Sequence, residues 1–307
     1  MTDTILAINA SLIKKFFFKG DALDICPKKI YAIDILKTDH IQTINMLRGN
    51  YFECGCIGKG YDGKITDDLP RKKLTKKQND ENLIAESYDN HILKKGEKKI
   101  SQIRIDEQIS IFHRECLERN ISIKPDNTQI KIYKKLPNGI LISGTLDIFP
   151  VHMTINNEDK LFIIDLKLTG DINNTYGKYC WGAQNMKERM DHIQADMYNE
   201  LVLNIDYSIN PHLKICLSDK DKEALKNRDY TFVYWLFDYE FKNDLLNNRF
   251  IISHYDEQKQ AELYEVIRKT NSLIEYYDKE GWIATPNYEK CKDCPLDCDQ
   301  RCQIQVI

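Results

Sequence analysis

Apolar residues recur along this chain in two different patterns. In longer segments they are spaced like one face of a helix, which predicts helices over residues 11–18, 38–54, 105–117, 184–203 and 256–279. In shorter segments they form runs rich in β-branched residues, which predict strands over residues 129–135, 139–149, 160–168, 230–237 and 248–254. The Ser11 hydroxyl can accept from a free amide of the first helical turn, so we expect it to cap that helix. Strands framed by helices predict an α/β or α+β fold.

Composition narrows the class of protein. With 307 residues, of which 42% are hydrophobic and 30% charged, the chain can bury a sizeable core. Its formal charge of −3 argues against a protein that coats nucleic acid indiscriminately, but it allows a basic groove. Residues 59–99 are polar and bracketed by lysine-rich runs, which indicates either a solvated surface or a positively charged rim that attracts phosphates. Because no segment has the apolar length of a signal peptide or a membrane span, we expect a soluble, cytoplasmic protein.

Two consecutive predicted strands end in acidic residues. Asp147 lies near the end of ILISGTLDIF, and Asp165 and Lys167 end the next strand, FIIDLKL. Alternate side chains of a strand point to one face, so Asp165 and Lys167 share a face, and pairing of the two strands would bring Asp147 beside them. An isolated Asp-x-Lys is more typical of a solvated strand end. The complete order of Gly144, Asp147, a hairpin, Asp165 and Lys167 is far rarer.

This arrangement suits phosphodiester hydrolysis. Carboxylate and carbonyl oxygens are the ligands that a hard cation such as Mg²⁺ prefers. Such a cation would polarise the phosphate, lower the pKa of a bound water and offset charge in the transition state. Lys167 would hold the attacking water or neutralise phosphate oxygens. The two strands therefore predict a metal-dependent phosphodiesterase.

On these residues the chain resembles the RecB-like branch of the PD-(D/E)XK nuclease superfamily. GTLDIF is similar to the strand that bears the first acidic residue, IIDLK to the Asp/Glu-x-Lys strand, and HIQADMY to the Gln-x-x-x-Tyr motif. LRGNYFE resembles the helix that adds a metal-site residue, which in this chain would be Glu53. RecB and CRISPR-associated members commonly have His at this position, so the glutamate is closer to the pattern of phage exonucleases. The resemblance implies a restriction-endonuclease-like fold, with a mixed central sheet flanked by helices, and DNA as the substrate.

The resemblance also implies roles for individual residues. The ligands of Mg²⁺ or Mn²⁺ would be Glu53, Asp147, Asp165 and the backbone carbonyl of Leu166. Lys167 would assist the attacking water. Gln194 and Tyr198 are four residues apart on one helical face and would position the DNA.

Four cysteines lie close together near the end of the chain, at Cys291, Cys294, Cys298 and Cys302. Such a run predicts a metal or iron–sulfur site that stabilises the fold, rather than free thiols. Cluster-bearing members of the branch draw one cysteine from near the N-terminus, and Cys26 in DICPKKIY resembles that element. Five candidates for four positions leave Cys298 or Cys302 as the spare one. We expect a [4Fe–4S] cluster; the alternative is a self-contained zinc site with Cys26 simply buried.

Together these features predict one nuclease domain over residues 1–307, composed of an N-terminal helical part (1–100), a catalytic sheet core (101–255) and a C-terminal part with the cysteines (256–307). We expect a DNA exonuclease that acts on single strands or free ends in DNA processing, recombination or repair. One alternative is a cluster-bearing DNA-binding subunit with a silent or secondary nuclease site. Another is a nuclease that acts on RNA or in CRISPR spacer acquisition. The oligomeric state is left open by the sequence.

Overall fold

A computed structural model describes the chain over residues 7–17, 26–36, 44–58, 93–94, 97–98, 100–155, 158–173, 181, 192–239 and 246–282. These described residues divide into two compact units. The smaller unit takes its described residues from 1–41, 135–143 and 256–307, and the larger unit from 42–134 and 144–255. The four C-terminal cysteines and most of the polar segment 59–99 lie outside the described residues, so the interpretations given for them remain predictions.

A five-stranded mixed sheet is the centre of the larger unit. Its spatial order follows the chain: β3 (Thr128–Lys135), β4 (Leu141–Ile155), β5 (Glu158–Thr169), β6 (Tyr230–Asp238) and β7 (Asn248–Ser253). A separate antiparallel pair consists of β1 (Leu93–Lys94) and β2 (Glu97–Lys98). In the five-stranded sheet, β5 runs parallel to β6, whereas β4 is antiparallel to β5 and β7 is antiparallel to β6.

The described helices are α1 (Ala10–Phe17), α2 (Pro27–Ile30), which continues into a π-helical turn (Tyr31–Ile35), α3 (Ile44–Ile57), α4 (Ile100–Glu118), α5 (His192–Val202), α6 (Leu213–Cys216), α7 (Asp219–Lys226) and α8 (Glu257–Glu280). A mixed sheet flanked by helices confirms the predicted α+β fold. None of the helices that the structure describes has both the length and the apolar character needed to cross a membrane.

Helices α3 and α4 cover one face of the sheet because their apolar side chains meet those of the central strands. Phe52 of α3 packs on Phe237 and Phe112 of α4 packs on Trp235, each with ring centroids 5.0 Å apart. On the other face of β6, the ring of Tyr198 from α5 lies 6.1 Å from that of Phe232. The parallel pair β5–β6 is therefore covered on both sides, which fits its almost continuous apolar sequence.

The elements differ from their predicted bounds at two informative places. Helix α1 is capped by Asn9, whose Oδ1 accepts from the backbone N–H of Leu12 at 2.9 Å. The expectation of a Ser11 cap is therefore wrong, since Ser11 lies inside the first turn. Strand β4 continues past Pro150, although a proline has no N–H for the sheet and would end a regular strand. It can do so because the register with β5 shifts between Ile148 and Val151.

Candidate functional site

Asp165 and Lys167 lie toward the C-terminal end of β5 and share a face of the sheet. Asp165 is only 1% exposed, and its Oδ2 forms an ion pair with the Lys167 ammonium. Its Oδ1 accepts a hydrogen bond from Nε2 of Gln194, on α5, at 2.8 Å. The Lys167 Nζ also lies 5.6 Å from the ring centroid of Tyr234, the residue that pairs with Asp165 across β5 and β6. The buried Asp165 and its half-buried lysine thus form an ion-paired, hydrogen-bonded group.

Strand pairing brings Asp147 to the same place. Ile148 of β4 pairs with Ile164 of β5 in antiparallel register, and Asp147 and Asp165 adjoin this pair in sequence. Asp147 Oδ2 accepts from the backbone N–H of Leu166 at 2.8 Å. The Leu166 side chain faces the opposite way and is part of the core beneath α3 and α4. The carboxylates of the two strands are therefore neighbours across the sheet.

The charge of Asp147 is poorly stabilised in this setting. Burial, followed by the negative charges of Asp165 and Glu53, raises the pKa of Asp147 well above the ordinary range of an aspartic acid. The Lys167 ammonium and the Leu166 N–H act in the opposite direction. Converging carboxylates of this kind would gain from a divalent cation, which neutralises charge that the protein alone leaves uncompensated.

Glu53 of α3 is joined to this group through Gln129, which the sequence analysis did not single out. Gln129 Nε2 donates to Glu53 Oε1 and also to Asp147 Oδ1, the latter at 3.0 Å. Gln129 lies near the start of β3 with a φ of 53°, in the left-handed region. A glutamine near the start of a strand that alternates apolar and polar residues carries no sequence signal of its own, so only the structure reveals this contact.

Gln194 and Tyr198 project from α5 toward the two aspartates. The Gln194 Nε2 lies 3.1 Å from the Tyr198 hydroxyl in addition to its bond with Asp165. Burial raises the pKa of Tyr198, and the charges of Asp165 and Asp147 add to the effect. The glycine at 144 allows this approach, because a Cβ there would come within 2.8 Å of the Tyr198 ring. The predicted contact of Gln194 and Tyr198 with DNA remains a prediction.

The oxygen-rich donor set determines which metal would suit the site. Among the described residues, no three His, Cys, Asp or Glu side chains are close enough together to form a ready-made metal centre. The carboxylates of Asp147 and Glu53 instead accept hydrogen bonds from N–H donors, as does that of Asp165. A cation would take the place of such donors. Three carboxylates and a backbone carbonyl are hard oxygen ligands, so the residues present fit Mg²⁺ or Mn²⁺ in chemistry.

The described cysteines offer thiols in two settings. Cys26 is half-buried at the start of α2 in the smaller unit. Cys54, Cys56 and Cys116 are buried, and burial raises the pKa of Cys56, with smaller contributions from Cys116 and Glu53. Buried thiols of this kind pack as small core residues. Of the predicted cluster ligands, only Cys26 lies within the described residues.

Comparison with known proteins bears on the fold. No protein-family model matches this chain, and no curated protein matches its sequence. The fold is similar to the crystal structure of a candidate exonuclease from Eubacterium rectale, with a TM-score of 0.52 and 16% identity, over 95% of this chain and 88% of that one. The crystal structure of SSO0001, at 13% identity over 88% of this chain and 90% of its own, has a TM-score of 0.28, too low to support an argument. The first similarity establishes a shared α+β fold.

Proposed function

We propose that this protein is a metal-dependent nuclease of the PD-(D/E)XK type that hydrolyses DNA phosphodiesters. The observation that carries the proposal is the pairing of β4 with β5, which brings Asp147 beside the ion pair of Asp165 and Lys167. An Asp-x-Lys sequence is more commonly a solvated strand end, and Asp165 would then be exposed to solvent. Asp165 is instead only 1% exposed. The name of the Eubacterium rectale protein, a candidate exonuclease, supports the same class of function.

The described side chains would have different roles in such a reaction. Asp147, Asp165, Glu53 and the carbonyl of Leu166 would hold Mg²⁺ or Mn²⁺. When bound, the cation would polarise the phosphate and supply a water of lowered pKa. Lys167, already beside Asp165, would orient the attacking water and place positive charge near the phosphate oxygens.

Helix α5 would support this chemistry from the side. The Gln194 amide fixes one oxygen of Asp165, which leaves that carboxylate in a defined orientation. The resemblance of the HIQADMY segment to the Gln-x-x-x-Tyr motif supports a role of Gln194 and Tyr198 at the DNA strand. It also favours DNA with single strands or free ends as the substrate, and exonuclease action in DNA processing, recombination or repair.

The cysteines would stabilise the fold rather than take part in hydrolysis. We infer that Cys26 and three of the four C-terminal cysteines bind a [4Fe–4S] cluster, with a Cys₄ zinc site as the alternative. The iron–sulfur cluster would tie the chain near its N-terminus to residues more than 250 positions later, whereas the zinc site would be confined to the C-terminal cysteines.

A digestion assay tests the proposal. Single-stranded DNA, duplex DNA and RNA are incubated with the protein in Mn²⁺ and, separately, in EDTA. We expect degradation of DNA that EDTA abolishes, and a loss of about 10³-fold or more in Asp165→Ala, since a metal ligand and the partner of Lys167 are removed together. Asp219→Asn is the matched control, because the Asp219 side chain is fully exposed on α7.

Two results would count against the proposal. DNA degradation by Asp165→Ala at the rate of the unaltered protein would show that the activity arises elsewhere. DNA binding without degradation in any metal would favour the alternative of a binding subunit with a silent site. Preferential degradation of RNA would replace the substrate while retaining the chemistry.

A further inference from the structure

Gln129 occupies the gap between two carboxylates of the candidate cation site. Its Nε2 donates to Oε1 of Glu53 and to Oδ1 of Asp147, the latter at 3.0 Å. Glu53 belongs to α3 and Asp147 to β4, so one carboxamide joins acidic residues from two separate elements. The side chain thus lies where negative charge converges, although its own charge is zero.

The backbone of β3 is shaped to place the amide there. At Gln129 the φ angle is 53°, a conformation that is disfavoured for residues with a Cβ. The chain just before it is fixed, because Thr128 is fully buried with its hydroxyl donating to Lys124 O at 3.1 Å. In addition, the Phe149 N–H donates to Asn127 O at 2.7 Å. An unfavourable conformation held by its surroundings next to an acidic site points to a role in that site.

We propose that Gln129 is a positioning residue of the cation site, and this inference rests on the proposed function. It holds Glu53 against Asp147 so that both carboxylates are in place before the cation arrives. Without the amide, the two negative charges repel each other and the Glu53 side chain turns toward solvent. Cation binding then has to draw it back first, and the affinity falls.

A carboxamide is well suited to this task. It offers two N–H donors, enough for two carboxylates, and adds no charge. A lysine in its place would compete with the cation, and a glutamate would add to the repulsion that already raises the pKa of Asp147. Because the amide can rotate, its donors can yield to a bound cation without movement of the backbone.

The test is the affinity of the metal-free full chain for Mn²⁺, measured by calorimetry and by electron paramagnetic resonance. Binding at the candidate site is defined as the part of the Mn²⁺ binding that Asp147→Ala removes. We expect Gln129→Ala and Gln129→Leu to weaken that binding by about 10-fold, the lower end of what is found for residues that orient metal ligands. Circular dichroism and the Tm check that the variants fold. Gln258→Ala is the control, because Gln258 is on α8 and its amide bonds only to the exposed Glu262 among the contacts described.

A double-mutant cycle with Glu53→Ala separates positioning from a general structural effect. If Gln129 acts through Glu53, Gln129→Ala has no further effect on Mn²⁺ affinity once Glu53 is absent. An equal loss in both backgrounds would overturn the inference, as would unchanged Mn²⁺ binding in Gln129→Ala. Unaltered protein that fails to bind Mn²⁺ would overturn the proposed function and this inference together. Binding that depends on Asp147 but not on Gln129 would overturn the inference alone.

Discussion

At the scale of single residues, Asp147 illustrates how a site suited to a cation destabilises the protein that carries it. Burial and the charges of Asp165 and Glu53 raise its pKa above the value expected in the unfolded chain. The folded state therefore holds the proton more tightly than the unfolded state does. Stability falls as pH rises from the unfolded pKa toward the folded one, and the full cost is present above the folded pKa.

We predict that Asp147→Asn stabilises the metal-free protein at pH 8. Asparagine keeps an acceptor for the Leu166 N–H but removes the negative charge that burial, Asp165 and Glu53 disfavour, so we expect a gain in the free energy of unfolding. Urea unfolding in EDTA measures it. The gain should shrink as pH is lowered, because protonation of Asp147 then removes the same charge. A variant less stable than the unaltered protein at every pH would show that the hydrogen bonds of Asp147 outweigh the repulsion.

At the scale of elements, the position of α5 decides whether Gln194 meets Asp165. At its C-terminal end, Lys134 of β3 donates to the carbonyls of Glu200 and Leu203, at 2.8 and 2.7 Å, and forms an ion pair with the buried Glu200 carboxylate. A cation at this end of a helix is favourable, because the last carbonyls carry partial negative charge. The other determinant is Gly144 of β4, which lets the helix approach the sheet closely.

The close approach at Gly144 yields a prediction about α5. A Cβ at this position would lie 2.6 Å from a methyl of Leu201 and 2.8 Å from the Tyr198 ring, so Gly144→Ala should push the helix outward. We expect a loss of about 1–3 kcal/mol in the free energy of unfolding and lower nuclease activity, since Gln194 would move from Asp165. Chemical denaturation and the digestion assay measure the two effects.

Gly49 provides the matched control for this substitution. It lies inside α3, and a Cβ there would meet no atom within 4 Å. Gly49→Ala should therefore raise stability by about 0.5–1 kcal/mol, the ordinary preference of a helix for alanine. Equal effects of the two substitutions would contradict the packing argument for Gly144.

At the scale of the whole molecule, the chain divides into a larger unit with the sheet and the acidic group and a smaller unit with Cys26. The acidic group is contained in the larger unit, since Glu53, Gln129, Asp147, Asp165 and Gln194 all belong to it. Metal at the cysteines and metal at the carboxylates should therefore be separable by mutation.

We predict that Cys26→Ser removes the iron–sulfur cluster and lowers the Tm, because a centre that binds only the folded chain stabilises it. Visible absorption and iron and zinc analysis of anaerobically purified protein measure the loss. Cys216→Ser, which alters a half-buried thiol of the larger unit, should leave the metal content unchanged. Zinc in a colourless protein would replace the iron–sulfur prediction by its alternative, and protein without either metal would contradict both.

The local part of the site was predictable from the sequence for a simple physical reason. Residues two apart in a strand share a face, so FIIDLKL by itself determined that Asp165 and Lys167 lie together, and the apolar runs around them determined where the central strands are. Local spacing did not decide which of two neighbouring residues is the N-cap of α1. Asn9 and Ser11 can both accept from helical amides, and the backbone conformation selects Asn9.

Tertiary structure alone decided how the other residues of the site come together beside β5, the strand of Asp165 and Lys167. Gln129 meets Glu53 across 76 positions of sequence and Asp147 across 18, and its left-handed backbone leaves no trace in the residue types around it. The raised pKa of Asp147 has the same origin, since it depends on burial and on charges from β5 and α3. The sequence thus determined which face each strand residue occupies, because that follows from the repeat of the backbone. The folded chain determined which faces meet, because that depends on packing between distant segments.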